Sequence, residues 1–327
     1  MHDTRYRLST TDSYHRQDLN TLGWELTICN SLYPAGTPIR QVLLRDASYG
    51  QFLYDHLQRF IPFEKITSVL EIGGGYGYLM KDVLSKNGRL RPSMLDISPA
   101  LLEKQKETLA GHDVSYLLED ALETDVAVFQ RHELAILNEN LGDFPTAVDI
   151  GHGIPEDSPG QADEVAEEIR RFFETYHLER PRDPFSFNLG AMEMVEKLCL
   201  SGVPHIFIGE HSCEAIVPPA LRPFIAISSD GNPRRIPLKG HDEYTIKFSY
   251  LQRVAEYHGY KTVRGPFADF VVPNITEGLK AILATRGLYS DSEEMVCHFV
   301  GDLYEYEYLV MMREGAGDRG QLRVNGL

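Results

Sequence analysis

The chain reads as an α/β protein with a mostly parallel sheet, and three observations carry that reading. The apolar run Ser68–Ile72 holds one acid, Glu71, and ends in four glycines within five positions, Gly73, Gly74, Gly75 and Gly77. A helical pattern follows, with Leu79, Met80, Val83 and Leu84 on one face and Asn87-Gly88 as its stop signal. Short apolar runs then recur at Ser93–Leu95, Val114–Leu118, Leu134–Leu137 and Val203–Ile208. Each of these ends in polar residues: Asp96, Glu119-Asp120, Asn138-Glu139-Asn140 and Gly209-Glu210-His211. A strand, a glycine turn and a helix bring bare backbone to a ligand at the carboxyl edge of such a sheet.

The elements follow in order. Leu19, Leu22, Leu26 and Ile28 predict a helix, residues 33–38 a turn, and Phe52, Leu53, Leu57 and Phe60 a second helix. Ser98 and Pro99 fit an N-cap and first helical residue, opening a helix through Leu101, Leu102, Gln105 and Leu109 that stops at Gly111. Between the fourth and fifth strands lie about sixty residues, more than one crossover helix needs. That insertion, 140–200, holds a Gly/Pro-rich loop (Gly151–Gly160). An amphipathic helix follows with Val165, Ile169, Phe172, Phe173 and Tyr176 on one face, then a helix over Leu189–Leu200. Leaving the sheet at its carboxyl edge, it reads as a lid that selects substrate, with the acceptor pocket beneath it. Further on, Tyr244–Phe248 fits a strand and Ser249 caps a helix ending at His258-Gly259. Tyr260–Val263 and Phe267–Val272 fit the last antiparallel strands, joined by a turn at Arg264-Gly265-Pro266. Two helical patterns and a polar end follow Thr276. Three regions result: a helical extension (1–60), the α/β core with its insertion (61–275), and C-terminal helices with a tail (276–327).

Which nucleotide the turn holds is decided by its spacing. The dinucleotide fingerprint G-x-G-x-x-G fails, since Tyr78 stands where a start at Gly73 needs a third glycine. What remains is E-x-G-x-G-x-G, with Gly73, Gly75 and Gly77 alternating after Glu71. This resembles the first motif of class I S-adenosylmethionine-dependent methyltransferases, which have a Rossmann-like fold with a seven-stranded, mostly parallel sheet. The resemblance implies S-adenosylmethionine as cofactor. Glu71, Gly73, Gly75 and Gly77 would hold its amino-acid end, Asp96 with Ile97 its ribose, Asp120 with Ala121 its adenine, and Asn138 would lie beside the methyl group.

Composition narrows the setting. The 327 residues are 43% hydrophobic and 24% charged, which suits a globular core. The net charge is −16, and no Lys/Arg cluster exceeds pairs such as Arg170-Arg171, so nucleic acid is a poor partner and a cationic one is compatible. No run approaches the roughly 18 apolar residues of a membrane span. The N-terminus has no apolar signal core, and Cys29, Cys199, Cys213 and Cys297 are dispersed. A cytoplasmic protein, able to form a homodimer, is the expectation. No H-E-x-x-H or paired C-x-x-C spacing is present, so the sequence predicts no metal site.

Methyl transfer from a sulfonium needs positioning more than covalent help, so catalytic residues are weakly signed. Glu139 and Asp143 could hold a guanidinium as a carboxylate pair, or cap the insertion. His211 could serve as base for an oxygen nucleophile, with His152 and His241 as weaker candidates. The segments Leu32-Tyr33-Pro34, Asp46–Gly50, Glu71–Met80, Ile97-Ser98-Pro99, Asn138-Glu139 to Phe144-Pro145 and His241–Tyr244 to Tyr250-Leu251 fall in order. Together they resemble the MidA family, which includes the mitochondrial complex I assembly methyltransferase that modifies an arginine. The resemblance implies methyl transfer to a protein side chain or small metabolite. A cofactor-binding assembly module without turnover is the alternative, as is an O-methyltransferase using His211. An aminopropyltransferase is a third, but it lacks a paired-aspartate segment after the fourth strand.

Overall fold

The computed structural model describes residues 6–19, 27–151, 164–182 and 184–313. Its strands are β1 Arg7–Ser9, β2 Ser68–Ile72, β3 Arg91–Asp96, β4 Ser115–Leu118, β5 Leu134–Asn138, β6 Thr146–Ile150, β7 Phe185–Phe187, β8 His205–His211, β9 Arg235–Pro237, β10 Asp242–Tyr244, β11 Tyr260–Pro266 and β12 Tyr306–Arg313. Its α-helices are α1 Ile28–Leu32, α2 Pro38–Gln41, α3 Tyr49–Leu57, α4 Tyr78–Lys86, α5 Pro99–Thr108, α6 Val126–Phe129, α7 Glu164–Tyr176, α8 Leu189–Ser201, α9 Phe248–Tyr257, α10 Glu277–Ala284 and α11 Asp291–Glu305.

Seven strands form the central sheet in the order β11-β12-β8-β5-β2-β3-β4. All neighbours are parallel except at β12, which runs antiparallel to both β8 and β11. Burial on both faces explains the unbroken apolar runs. Val69 and Ile136 face one core with α3, α4 and α11, whereas Leu70, Ala135 and Leu137 face the other with α8 and α9. The chain winds outward from β2 in both directions, through β3 on one side and β5 on the other. That reversal opens a crevice beyond the carboxyl ends of β2 and β5, where the glycine turn lies.

Three expectations need correction. Arg264-Gly265-Pro266 is no turn but the end of β11, and Phe267–Asp269 form a 3-10 turn rather than a strand. The antiparallel partner is β12, from the tail that reads as helical. It follows α11 with no glycine or proline between them. Tyr306 and Tyr308 to Met311 are buried, so no two-residue alternation marks the change to strand. Burying side chains of that size stabilises by about 1.5–3 kcal/mol each, enough to override local helical propensity. Finally, the strand near Tyr244 is β10, ending at Tyr244 and pairing with β9 outside the main sheet. The following helix begins at Phe248 with Lys247 as N-cap, and Ser249 instead bonds the Glu214 carboxylate through its amide and hydroxyl.

The insertion also differs from a simple lid. β6 pairs with β1 and β7 in a small antiparallel sheet. Ile169, Phe172 and Tyr176 of α7 lie in the core beside α8 and α9. Leu22, Leu26, the loop from His152 to Gly160 and the polar end beyond Arg313 lie outside the described residues.

Candidate functional site

The floor of the crevice is local in sequence. Gly73 and Gly75 adopt φ of +64° and +51°, where a side chain is strained, and a Cβ on Gly73 would sit 2.5 Å from Asn140 Nδ2. Asn140 Nδ2 donates to the Ile72 carbonyl at 2.7 Å and so ties the loop after β5 to the turn. Glu71 is 2% exposed, and its Oε2 has no hydrogen-bond partner. Burial, then the neighbouring Asp96, pushes its carboxyl up to about 8. Asp96 accepts from the Ser98 amide at 2.8 Å and from Gln105 Nε2 at 2.7 Å; burial still raises it to about 6. Gln105 also donates to the Gly75 carbonyl at 3.1 Å, bridging the turn to the acid that ends β3. Asp120 accepts from the Leu122 amide, and its other oxygen lies 3.5 Å from Arg16 Nη2.

The wall comes from β5 and β8. Asn138 Oδ1 accepts from the buried Tyr49 hydroxyl, and its Nδ2 donates to Glu139 Oε1 at 2.9 Å. Glu139 takes a positive φ of 56°. Its carboxylate accepts the Ile28 and Cys29 amides at 2.7 and 3.1 Å, capping the start of α1. Burial raises it to about 7 against those hydrogen bonds. Glu210 accepts the Gly142 and His211 amides. The His211 ring packs 3.7 Å from the Tyr306 ring, and burial, with Arg234 adding to it, pushes its imidazole down to about 3.

The roof comes from remote segments. A single π-helical turn, Tyr14–Asp18, carries His15, whose Nε2 lies 2.9 Å from Asp143 Oδ1. His241, in the loop between β9 and β10, brings its Nε2 to 3.4 Å from the same oxygen. Asp143 is held well below the usual carboxylate range by these two histidines, to about 2.

Together these groups line a cavity of about 530 Å³, a volume suited to a cofactor-sized ligand. Glu71, Gly73, Gly75, Asp96, Ile97, Asp120, Ala121, Asn138, Glu139, Asp143 and His211 all line it. Gly77 does not; its φ of +79° closes the turn where α4 begins, against Gln105. Glu139 and Asp143 each have their own partners rather than forming a free carboxylate pair. Among the described residues, the insertion contributes only Asn140, Asp143, Phe144 and Pro145 to the lining. Thr10–Asp12, His15, Ile236, Leu238 and Glu243 also line the cavity, so the N-terminal segment and the β9–β10 hairpin form the roof. His152 lies outside the described residues.

Sequence reasoning missed Gln105, Asn140 and His15 as site residues. Gln105 had a signal: it is a polar residue on an otherwise apolar helix stripe, and it is fully buried. His15 had none, because its partners are 128 and 226 positions away along the chain.

Residues 50–148, under a third of the chain, match a family described as "Putative S-adenosyl-L-methionine-dependent methyltransferase". Among solved structures, an uncharacterised protein from Burkholderia thailandensis aligns with 88% of this chain and 87% of its own, at 14% identity and a TM-score of 0.51. The fold is that of class I methyltransferases. A second Burkholderia thailandensis protein, bound to S-adenosyl-homocysteine, aligns over 81% of this chain and 76% of its own, at 15% identity and a TM-score of 0.47. An O-methyltransferase family protein from the same organism aligns over 81% of this chain at 13% identity and a TM-score of 0.41; the chain spans 56% of that protein. No curated protein matches the sequence. Among the described residues, no helix is long and apolar enough to cross a membrane.

Proposed function

We propose that this protein is an S-adenosylmethionine-dependent methyltransferase whose acceptor is a cationic nitrogen, with a protein arginine the acceptor nearest the MidA resemblance. One observation carries the reading: the described lining of the cavity holds ten carboxylate side chains and no lysine or arginine. No lysine or arginine in that lining neutralises these acids, and an arriving cation draws the buried ones, Glu71 first, toward the ionised form; this favours a cofactor with both a sulfonium and an ammonium group, and an acceptor that brings positive charge.

The residues present fit that cofactor. The unpartnered Glu71 Oε2 supplies an acceptor for an ammonium group at the turn. Gly73 and Gly75 leave backbone uncovered, and Asp96, with two lone-pair directions already used, keeps capacity for ribose hydroxyls. Bound there, the cofactor supplies an activated methyl group for in-line displacement. Asn138 and the wall after β5 would orient the acceptor, while the roof excludes water. We assign Glu139 and Asp143 to positioning: Glu139 holds α1 against the wall, and Asp143 gathers the roof. His211 is a weak base at about 3, so no observation favours the oxygen-nucleophile reading.

Incubation with methyl-labelled cofactor and two acceptor panels tests the proposal, one of arginine-containing peptides and amines, one of hydroxylated metabolites. Label on a basic acceptor is the expected result. Label confined to hydroxyl acceptors would overturn the assigned acceptor class, and cofactor binding without label on any acceptor would favour the assembly module.

A further inference from the structure

We infer that His15, Asp143 and His241 bind a divalent transition-metal ion at the mouth of the cavity. The three side chains come from the π-helical turn, the loop after β5 and the β9–β10 hairpin, and converge from far apart in the chain. His15 Nε2 and His241 Nε2 lie 2.9 and 3.4 Å from one oxygen, Asp143 Oδ1, and all three donor atoms fall within 4.8 Å of one another. Donors bonded to a common ion at about 2.0–2.2 Å are themselves roughly 3–3.5 Å apart, so little movement separates this arrangement from a coordinated one.

A second observation points to a ligand. The His241 side chain is 2% exposed, yet neither ring nitrogen has a hydrogen-bond partner of good geometry. A buried imidazole held near two carboxylates but with no well-formed hydrogen bond at either nitrogen is costly, and an ion shared with His15 and Asp143 would satisfy Nε2. The surroundings hold these groups in place. Tyr14 stacks on the His241 ring at 4.2 Å, Thr11 Oγ1 donates to the Asp143 carbonyl at 2.8 Å, and Glu243 Oε1 lies 3.4 Å from His241 Nε2. Two imidazoles and one carboxylate suit zinc, cobalt(II), iron(II) or nickel(II) rather than magnesium or calcium, whose ligands are oxygen. Three protein ligands leave positions open for water. His15 and Asp143 line the cavity, so the ion would close the N-terminal segment over it.

The test is a cobalt(II) titration of the chelator-stripped full chain, read by visible d–d absorption, with zinc(II) as competitor. The expected result is one equivalent bound at micromolar Kd or tighter, displaced by zinc. His241→Ala and His15→Gln should each weaken binding about 100-fold or more, while His298→Ala, at an exposed helical site, leaves it unchanged. Absence of the bands in the wild-type protein, or equal affinity in a folded His15→Gln or His241→Ala variant, would overturn the inference. Should His241→Ala fail to fold, His15→Gln alone decides. The titration needs no cofactor, so its failure leaves the methyltransferase reading untouched.

Discussion

The floor and the roof of the cavity are built in opposite ways. The floor is assembled from consecutive strand ends and the turns after them: Glu71 near the end of β2 with the turn through Gly77, Asp96 as the last residue of β3, and Asp120 just after β4. Its geometry is set by sheet register, and Asp96 and Asp120 each accept from the backbone amide two residues on. The roof joins His15, Asp143 and His241 across more than 220 residues through side-chain contacts alone. A site of this kind can keep a fixed floor while its cover changes independently.

That contrast can be broken most directly at the turn. Gly75→Val places a β-branched residue at φ of +51° and should weaken cofactor affinity at least 100-fold, about 2.7 kcal/mol or more, measured by calorimetry on protein shown to be folded by circular dichroism. Normal binding would move the cofactor seat elsewhere.

Glu71 gives the next largest effect. Its native pKa of about 8 lies above the unfolded value, so the folded state holds the extra proton and stability falls as pH rises between about 4.5 and 8. A cationic ligand beside Oε2 favours the ionised form. Cofactor binding near pH 7 should therefore release a proton, and affinity should rise about tenfold from pH 6 to pH 8.5. Glu71→Gln should flatten that dependence; a pH-dependence that persists in the variant would place the titrating group elsewhere.

Glu139 belongs to the wall, where fold and site overlap. Glu139→Gln weakens charge-assisted hydrogen bonds to the Ile28 and Cys29 amides and should cost about 1.5–3 kcal/mol of stability in urea unfolding. Unchanged stability with a large loss of turnover would restore it as a residue acting on the acceptor. His211→Ala should have the smallest effect, less than about threefold on rate. With its imidazole near 3, the wild-type rate profile should show no His211 limb close to neutrality.

The same contrast explains what could be read from the chain. The parallel strands, the glycine turn and the acids that end β3 and follow β4 were legible because each is a local pattern of a few residues. β12 was not: its five buried residues continue from α11 without a breaker, and only its pairing with β8 and β11 fixes it as strand. Glu139 and Asp143 were legible as chemistry but not as geometry, since their partners are a helix start and two distant histidines. The insertion was visible as excess length, yet its length could not say that α7 packs into the core while segments 10–15 and 236–243 cover the cavity.

Calorimetric titration of the wild-type protein with S-adenosylmethionine, S-adenosylhomocysteine and NADH tests the central claim most directly. The cofactor seat predicts one site of roughly micromolar Kd for the first two, near −8 kcal/mol, and no heat with NADH. Binding of NADH with no heat from either sulfur ligand would contradict it.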